Sequence, residues 1–191
     1  MPTPTDGSER KDGPVPLAVL LAGLPGSGKT TLARALAERG FTRLSVDEEV
    51  HRLHGRYGVD YPEDTYSARE RPVVEAVRRR FAEEIAAGND VVLDHGLWRR
   101  DERDAWRRAA RDAGGLPLVV HLPSERDELA RRLAGRNGRG DANALVVTPE
   151  ALDDFFGRFE PPGEDEEVLV HRGDLGALLA VLAGHRRAGG T

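Results

Sequence analysis

The 191-residue chain contains no cysteine, which excludes disulfides, thiolate nucleophiles and cysteine-ligated zinc together. No apolar run approaches the length of a membrane span, and the stretch Met1 to Pro14 lacks the hydrophobic centre of a signal peptide. The expected address is the cytoplasm, with no membrane contact. A basic excess is missing too: 33 acidic residues face 28 basic ones, for a net charge of −5. Proteins that track polyanionic backbones usually carry the opposite balance, so nucleic acid is a disfavoured substrate. Lysine is rare as well, occurring only at Lys11 and Lys29, so that 26 of the 28 basic residues are arginine. An ammonium is a compact point charge and a guanidinium a wide fork. A lone lysine inside an arginine-biased domain therefore suggests a site that only the smaller cation fits.

What is present is enough for one α/β domain with a core, 39% of the chain being hydrophobic. Residues 1–14 read as a disordered tail, 15–187 as the domain and 188–191 as a frayed end. Strand and helix patterns alternate through the domain. Leu17 to Ala22 is a short, wholly apolar run of the kind buried on both faces of a sheet, and a helical stretch follows from Thr31 to Glu38. Further strands are expected at Thr42 to Val46, Val91 to Leu93, Leu118 to Leu122 and Val168 to Val170. Between them, helices are expected from Glu70 to Ala87, with Pro72 in the first turn and Gly88 and Asn89 as its stop, and from Asp101 to Ala113. Ser124 with Asp127 opens a helix to about Leu133, Thr148 with Pro149 and Glu150 opens one to about Phe156, and the last runs from Asp174 to His185. Five strands separated by helices imply a parallel sheet covered on both faces.

Gly23, Leu24, Pro25, Gly26, Ser27, Gly28, Lys29 and Thr30 match the phosphate-loop pattern of Gly, four residues, then Gly, Lys and Thr or Ser, with a buried strand before and a helix after. The glycines let backbone N–H groups converge on phosphate oxygens, and the helix start adds its positive end. Lys29 then reaches the β and γ phosphates of ATP, the Thr30 hydroxyl ligates Mg2+, and Thr31 completes the turn.

Three later stretches narrow the reading: SVD at Ser45 to Asp47, VVLDHG at Val91 to Gly96, and RRLAGR at Arg131 to Arg136. With the phosphate loop they make the chain resemble, from Leu17 to Val170, the small P-loop kinases that group with chloramphenicol phosphotransferase, zeta toxin, gluconate kinase and the kinase domain of phage polynucleotide kinase. The resemblance implies a P-loop NTPase fold with strand order 2, 3, 1, 4, 5 and a small arginine-bearing lid at about 135–148. It implies that Asp47 takes the proton from an acceptor hydroxyl, and that Arg132 and Arg136, with Arg139 in reserve, close over the transferred phosphate. RFEPP at Arg158 to Pro162 is similar to the stretch that closes the lid region, and by that likeness borders the adenine.

Several residues keep two readings. Asp47 could be the base or cap the helix that begins at Glu48. Asp94 could hold magnesium through water, orient the acceptor or cap a loop. His95 and Trp98 are candidates for the substrate pocket or for plain packing, as is the segment holding Tyr57, Tyr61 and Tyr66, all the tyrosines of the chain, beside His51 and His54. The two histidines have no third ligand nearby, so no metal is assigned to them. His121, inside an apolar strand, is expected to be a core histidine, and the run Glu164 to Glu167 a solvated loop. The expectation is thus a Mg2+- and ATP-dependent kinase acting on a small hydroxylated molecule, with an RNA 5′-hydroxyl kinase, a zeta-like toxin or a nucleotide-driven switch as rivals.

Overall fold

A computed structural model describes residues 14–56, 60–62, 65–136 and 147–188. Five parallel strands, β1 (Leu17–Ala22), β2 (Thr42–Ser45), β3 (Val91–Asp94), β4 (Leu116–His121) and β5 (Val168–Val170), lie in the order β2-β3-β1-β4-β5, as the resemblance implies. Among the described residues, seven helices connect and flank them: α1 (Lys29–Ala37), α2 (Val46–His54), α3 (Tyr66–Ala86), α4 (Arg100–Asp112), α5 (Arg126–Arg136), α6 (Pro149–Arg158) and α7 (Leu175–Ala188). Among the described residues, no helix is long and apolar enough to cross a membrane.

The central strand shows why the sheet is covered twice. All six residues of β1 are buried, and their side chains alternate between faces. Ala18, Leu20 and Ala22 join Val73, Val77, Phe81 and Ile85 of α3 and Trp106 of α4. Leu17, Val19 and Leu21 meet Leu32 and Leu36 of α1 and Leu178 and Leu182 of α7. A smaller cluster, Leu24 with Leu129 and Leu133 of α5 and Leu152 of α6, anchors those two helices against the loop after β1.

Two boundaries differ from the sequence reading in ways that reach the site. Strand β2 stops at Ser45, because α2 begins at Val46 with Ser45 as its cap: the Ser45 hydroxyl accepts from the Glu48 N–H at 3.3 Å. Asp47 therefore sits in the first turn of α2 and not at the end of a strand. Helix α3 starts at Tyr66, not Glu70, which leaves Pro72 inside the helix, where it removes one i→i−4 hydrogen bond. Burial of Tyr61 and packing of Tyr66 on the α3 side of the core hold the extra turn in place. The expected stop of α3 is present, Gly88 at φ 91° donating to the Ile85 carbonyl at 2.9 Å.

Candidate active site

The site is built at the C-terminal edge of β1, β2 and β3, where open parallel sheets place their ligand crevice. The phosphate loop leaves β1 and turns into α1 through Gly26 at φ 84° and Gly28 at φ 101°, conformations open to glycine and costly for other residues. At Gly23 a Cβ would lie 2.8 Å from Ser27 Oγ and 3.0 Å from the Leu122 carbonyl oxygen, so the loop closes only around a residue with no side chain. Lys29 Nζ donates to the Gly23 and Leu24 carbonyls, both at 2.9 Å, and spans the loop. Ser27 is 8% exposed and its hydroxyl is buried without a hydrogen-bond partner among the described residues. Together with the N–H groups of the first turn of α1, which helix geometry leaves without intrahelical partners, it makes a donor-rich cradle that fits a chain of phosphates.

Magnesium has a matching place beside that cradle. Thr30 Oγ1 donates to Asp94 Oδ1 at 3.3 Å, joining the loop to the last residue of β3. Asp94 is 4% exposed, and its other oxygen is gripped by Arg43 Nε at 3.0 Å and Nη2 at 2.6 Å. The same guanidinium holds both oxygens of Glu48, at 2.8 and 2.9 Å, and Arg34 reaches Glu48 at 3.2 Å. A hydroxyl and a carboxylate oxygen side by side are hard donors of the type Mg2+ takes, directly or through water. Sequence reasoning missed Arg43. Its signal was weak, a charge in the middle of the edge strand β2, two residues before the Ser45 that pairs with Asp94.

Next to this ionic chain, α2, α3 and the turn after β3 bring three groups together. The ligand atoms of Asp47, Glu70 and His95 all lie within 4.8 Å of one another. His95 follows Asp94, and the backbone after it runs beside the loop, where a Cβ on Gly96 would approach the Gly23 carbonyl at 3.3 Å. Glu70 is the second residue that sequence reasoning missed. It lies one turn beyond Tyr66 on α3, and the Tyr66 hydroxyl donates to its Oε1 at 3.2 Å. Burial raises the Glu70 carboxyl above its ordinary range, and the nearby Asp47 charge adds to this while His95 opposes it. Burial, with Asp47 and Glu70 close by, also pushes the Tyr66 hydroxyl far above the usual phenol range, so Tyr66 serves as a donor and not as a base.

Because Ser45 caps α2, the capping alternative for Asp47 falls away. The next two residues in sequence are both arginine-bound, Glu48 by Arg43 and Glu49 by Arg52 at 2.6 and 2.9 Å, whereas Asp47 has no ion pair among the described residues.

The remaining predicted residues divide. His51 lies half-buried on α2, and His54 meets Arg69 at 3.3 Å and the edge of the Tyr61 ring at 6.4 Å between centroids. Trp98 packs on Phe155, with centroids 5.1 Å apart, and under Arg158, in the cluster that seats α6. Arg132 donates to the Gly26 carbonyl at 3.2 Å and pairs with Glu128, so it already touches the phosphate loop. Tyr57, Arg139, the Arg136 side chain and lid residues 137–146 lie outside the described residues.

A groove beside the phosphate loop, of about 550 Å³, is lined by Thr31, Leu122, Arg132, His171 and Arg172, and the segment Arg158 to Pro162 is not among its walls. That segment instead turns back on α4, Glu160 donating its N–H to the Trp98 carbonyl at 3.0 Å. Nor is the acidic run at 164–167 wholly solvated, since Glu166 is 7% exposed and bound by Arg103 at 2.6 and 2.9 Å and by Arg107 at 3.0 Å. His121 is a packed histidine as expected, stacked on Phe159 and pushed below the ordinary imidazole range by burial.

Comparison with known proteins agrees with this fold. The family model described as "AAA domain" matches residues 19–162. A shikimate kinase from Bordetella avium is 31% identical over 155 residues, covering 73% of this chain and 68% of the relative. The ATP-dependent zinc metalloprotease FtsH 1 of Sorangium cellulosum is 33% identical over 92% of this chain, which spans only 25% of that protein. A solved structure from Chloroflexus aurantiacus, described provisionally as a kinase, shares the fold with a TM-score of 0.73 at 20% identity, over 92% of this chain and 98% of its own. The chain belongs to the AAA domain family and is a P-loop kinase domain, in the class of ATP-dependent phosphotransferases.

Proposed function

We propose that the protein transfers the γ-phosphate of ATP to a hydroxyl group of a small molecule. The observation that carries this reading is the Asp47 carboxylate. It converges with Glu70 and with His95, the residue after Asp94, and has no arginine partner among the described residues, while Glu48 and Glu49 on the same turn are both arginine-bound. ATP with magnesium supplies the electrophilic phosphorus and the charge that offsets the leaving diphosphate. The phosphate loop, Lys29 and Ser27 bind the phosphates; Thr30 and Asp94 hold the metal, Asp94 fixed in place by Arg43. Asp47 orients the acceptor hydroxyl and takes its proton as the new P–O bond forms and the bond to the ADP oxygen breaks. Arg132, already at the Gly26 carbonyl, is placed to meet charge on the transferred group, with Arg136 one turn further along α5. The shikimate kinase relative, named for a small hydroxylated acid, supports an acceptor of that size.

The test is ADP release and mass-spectrometric detection of a gained phosphate in a library of hydroxylated metabolites, with Lys29→Met and Asp47→Asn as controls. Lys29→Met is expected to abolish turnover. Asp47→Asn is expected to keep nucleotide binding and lose transfer, and parental transfer by that variant would remove the base assignment. Hydrolysis with no acceptor product, seen only when a protein partner is added, would replace the kinase with a switch.

A further inference from the structure

The charge around the acceptor position is unusual for this chain. Arginine supplies 26 residues of the 191, and acidic side chains at the same edge of the sheet are matched to it, Asp94 and Glu48 by Arg43 and Glu49 by Arg52. Asp47 and Glu70 are exceptions, since neither makes an ion pair with a lysine or arginine among the described residues. The charged groups that act most strongly on the Glu70 carboxyl are His95, Asp47 and Glu102, and none of them is a lysine or arginine. Arg69, the nearby guanidinium, is occupied by His54, Thr65 and the Tyr61 ring. Two carboxylates sharing a partly buried site repel each other, and a cation between them relieves the repulsion. An acceptor bearing its own carboxylate would meet that same repulsion.

Resting on the kinase reading above, we infer that the acceptor is a hydroxylated amine, whose protonated nitrogen is held by Glu70 and His95 while Asp47 addresses the neighbouring hydroxyl. The spacing admits this occupant: the ligand atoms of the three groups lie within 4.8 Å of one another, and an ammonium about 2.8 Å from each of two acceptors bridges about 4.6 Å at tetrahedral geometry. Glu70 offers a second acceptor oxygen, and a ring nitrogen of His95 is a further acceptor. The Tyr66 hydroxyl, donating to Glu70 Oε1, holds the carboxylate in position. Glu70 is thus a specificity residue that distinguishes amino alcohols, amino sugars and aminocyclitols from sugar acids and plain polyols.

The experiment divides the library in two. One half holds hydroxylated amines, with glucosamine and aminocyclitols among them. The other holds their amine-free and acidic counterparts, such as glucose, inositol, gluconate and shikimate. Phosphorylated products are expected at least tenfold faster from the amine half. Glu70→Gln is expected to raise KM for the best amine about tenfold or more, the loss of one charge-assisted hydrogen bond, with a smaller change in kcat. Glu70→Asp should recover part of it, and ADP binding by calorimetry reports that each variant is folded. Products confined to the amine-free half, or an amine preference untouched by Glu70→Gln, would overturn the inference and leave the kinase reading standing. Tight Zn2+ or Mn2+ binding that is lost in His95→Ala and blocks the amines would also overturn it. No product from either half would overturn both readings.

Discussion

Two ionic clusters of this protein are built from similar side chains and finished differently. In the first, Glu166 is enclosed between Arg103 and Arg107, with Arg103 at 0% exposure, and every strong charge has a partner. In the second, Asp47 and Glu70 converge with His95 and, among the described residues, with no lysine or arginine partner. The Arg103 hydrogen bonds outweigh burial and, with Arg107, hold the Glu166 carboxyl down at about 2, whereas burial and Asp47 hold Glu70 above its ordinary range. The finished cluster ties α4 to the segment before β5. The unfinished one gathers α2, α3 and the turn after β3, and on the proposal above a ligand supplies what the protein leaves out. A completed ion network marks architecture, and an incomplete one at a crevice marks a place for a partner.

The largest expected effect strikes the incomplete cluster. Asp47→Asn should lower transfer by about 10²–10⁴-fold with melting temperature and nucleotide binding unchanged; a matching loss of stability would place Asp47 with the structural cluster instead. Next in size, Glu166→Ala leaves buried Arg103 with backbone carbonyls alone and Arg107 with Asp104 and the Glu167 carbonyl, and should cost about 3–5 kcal/mol in denaturant unfolding, with transfer per folded molecule preserved. Acid titration sharpens the contrast. Because the folded-state pKa of Glu166 is depressed, its stabilisation is full above the ordinary glutamate range and is lost as pH falls from about 4.3 toward its folded value of about 2. Glu166→Gln should flatten thermal stability across that window. The smallest effect has the opposite sign. Glu70 is raised in the folded state, so its ionisation costs stability as pH rises, and Glu70→Gln should increase the melting temperature at neutral pH while weakening transfer. The gain should vanish once pH falls below the ordinary glutamate range, where Glu70 is protonated in both states.

These clusters also mark where sequence reasoning reached its limit. The apolar run of β1, the loop from Gly23 to Thr30 and the caps at Gly88 and Thr148 were legible because each is a local pattern that local physics enforces. Glu166 looked solvated because its partners are 63 and 59 residues away on α4. The sign that could have shown it was Arg103 and Arg107, one turn apart on a helix face shared with Trp106 and Ala110. Asp47 was identified, yet its place in a helix was not, since the capping hydroxyl of Ser45 competes with strand continuation only once β2 is seated against β3. Glu70 carried one hint, its i,i+4 spacing from Tyr66.

By itself, then, the sequence determined the α/β class, the phosphate loop and the aspartates at the edge of the sheet, because short-range periodicity and a contiguous motif need no partner to be read. Tertiary structure alone decided which charges are spent. Arg43 went to Asp94, Arg103 and Arg107 went to Glu166, and among the described residues no lysine or arginine pairs with Asp47 or Glu70. Ion pairing depends on distances between elements far apart in the chain, and a sequence rich in arginine allows many pairings of which the fold makes one.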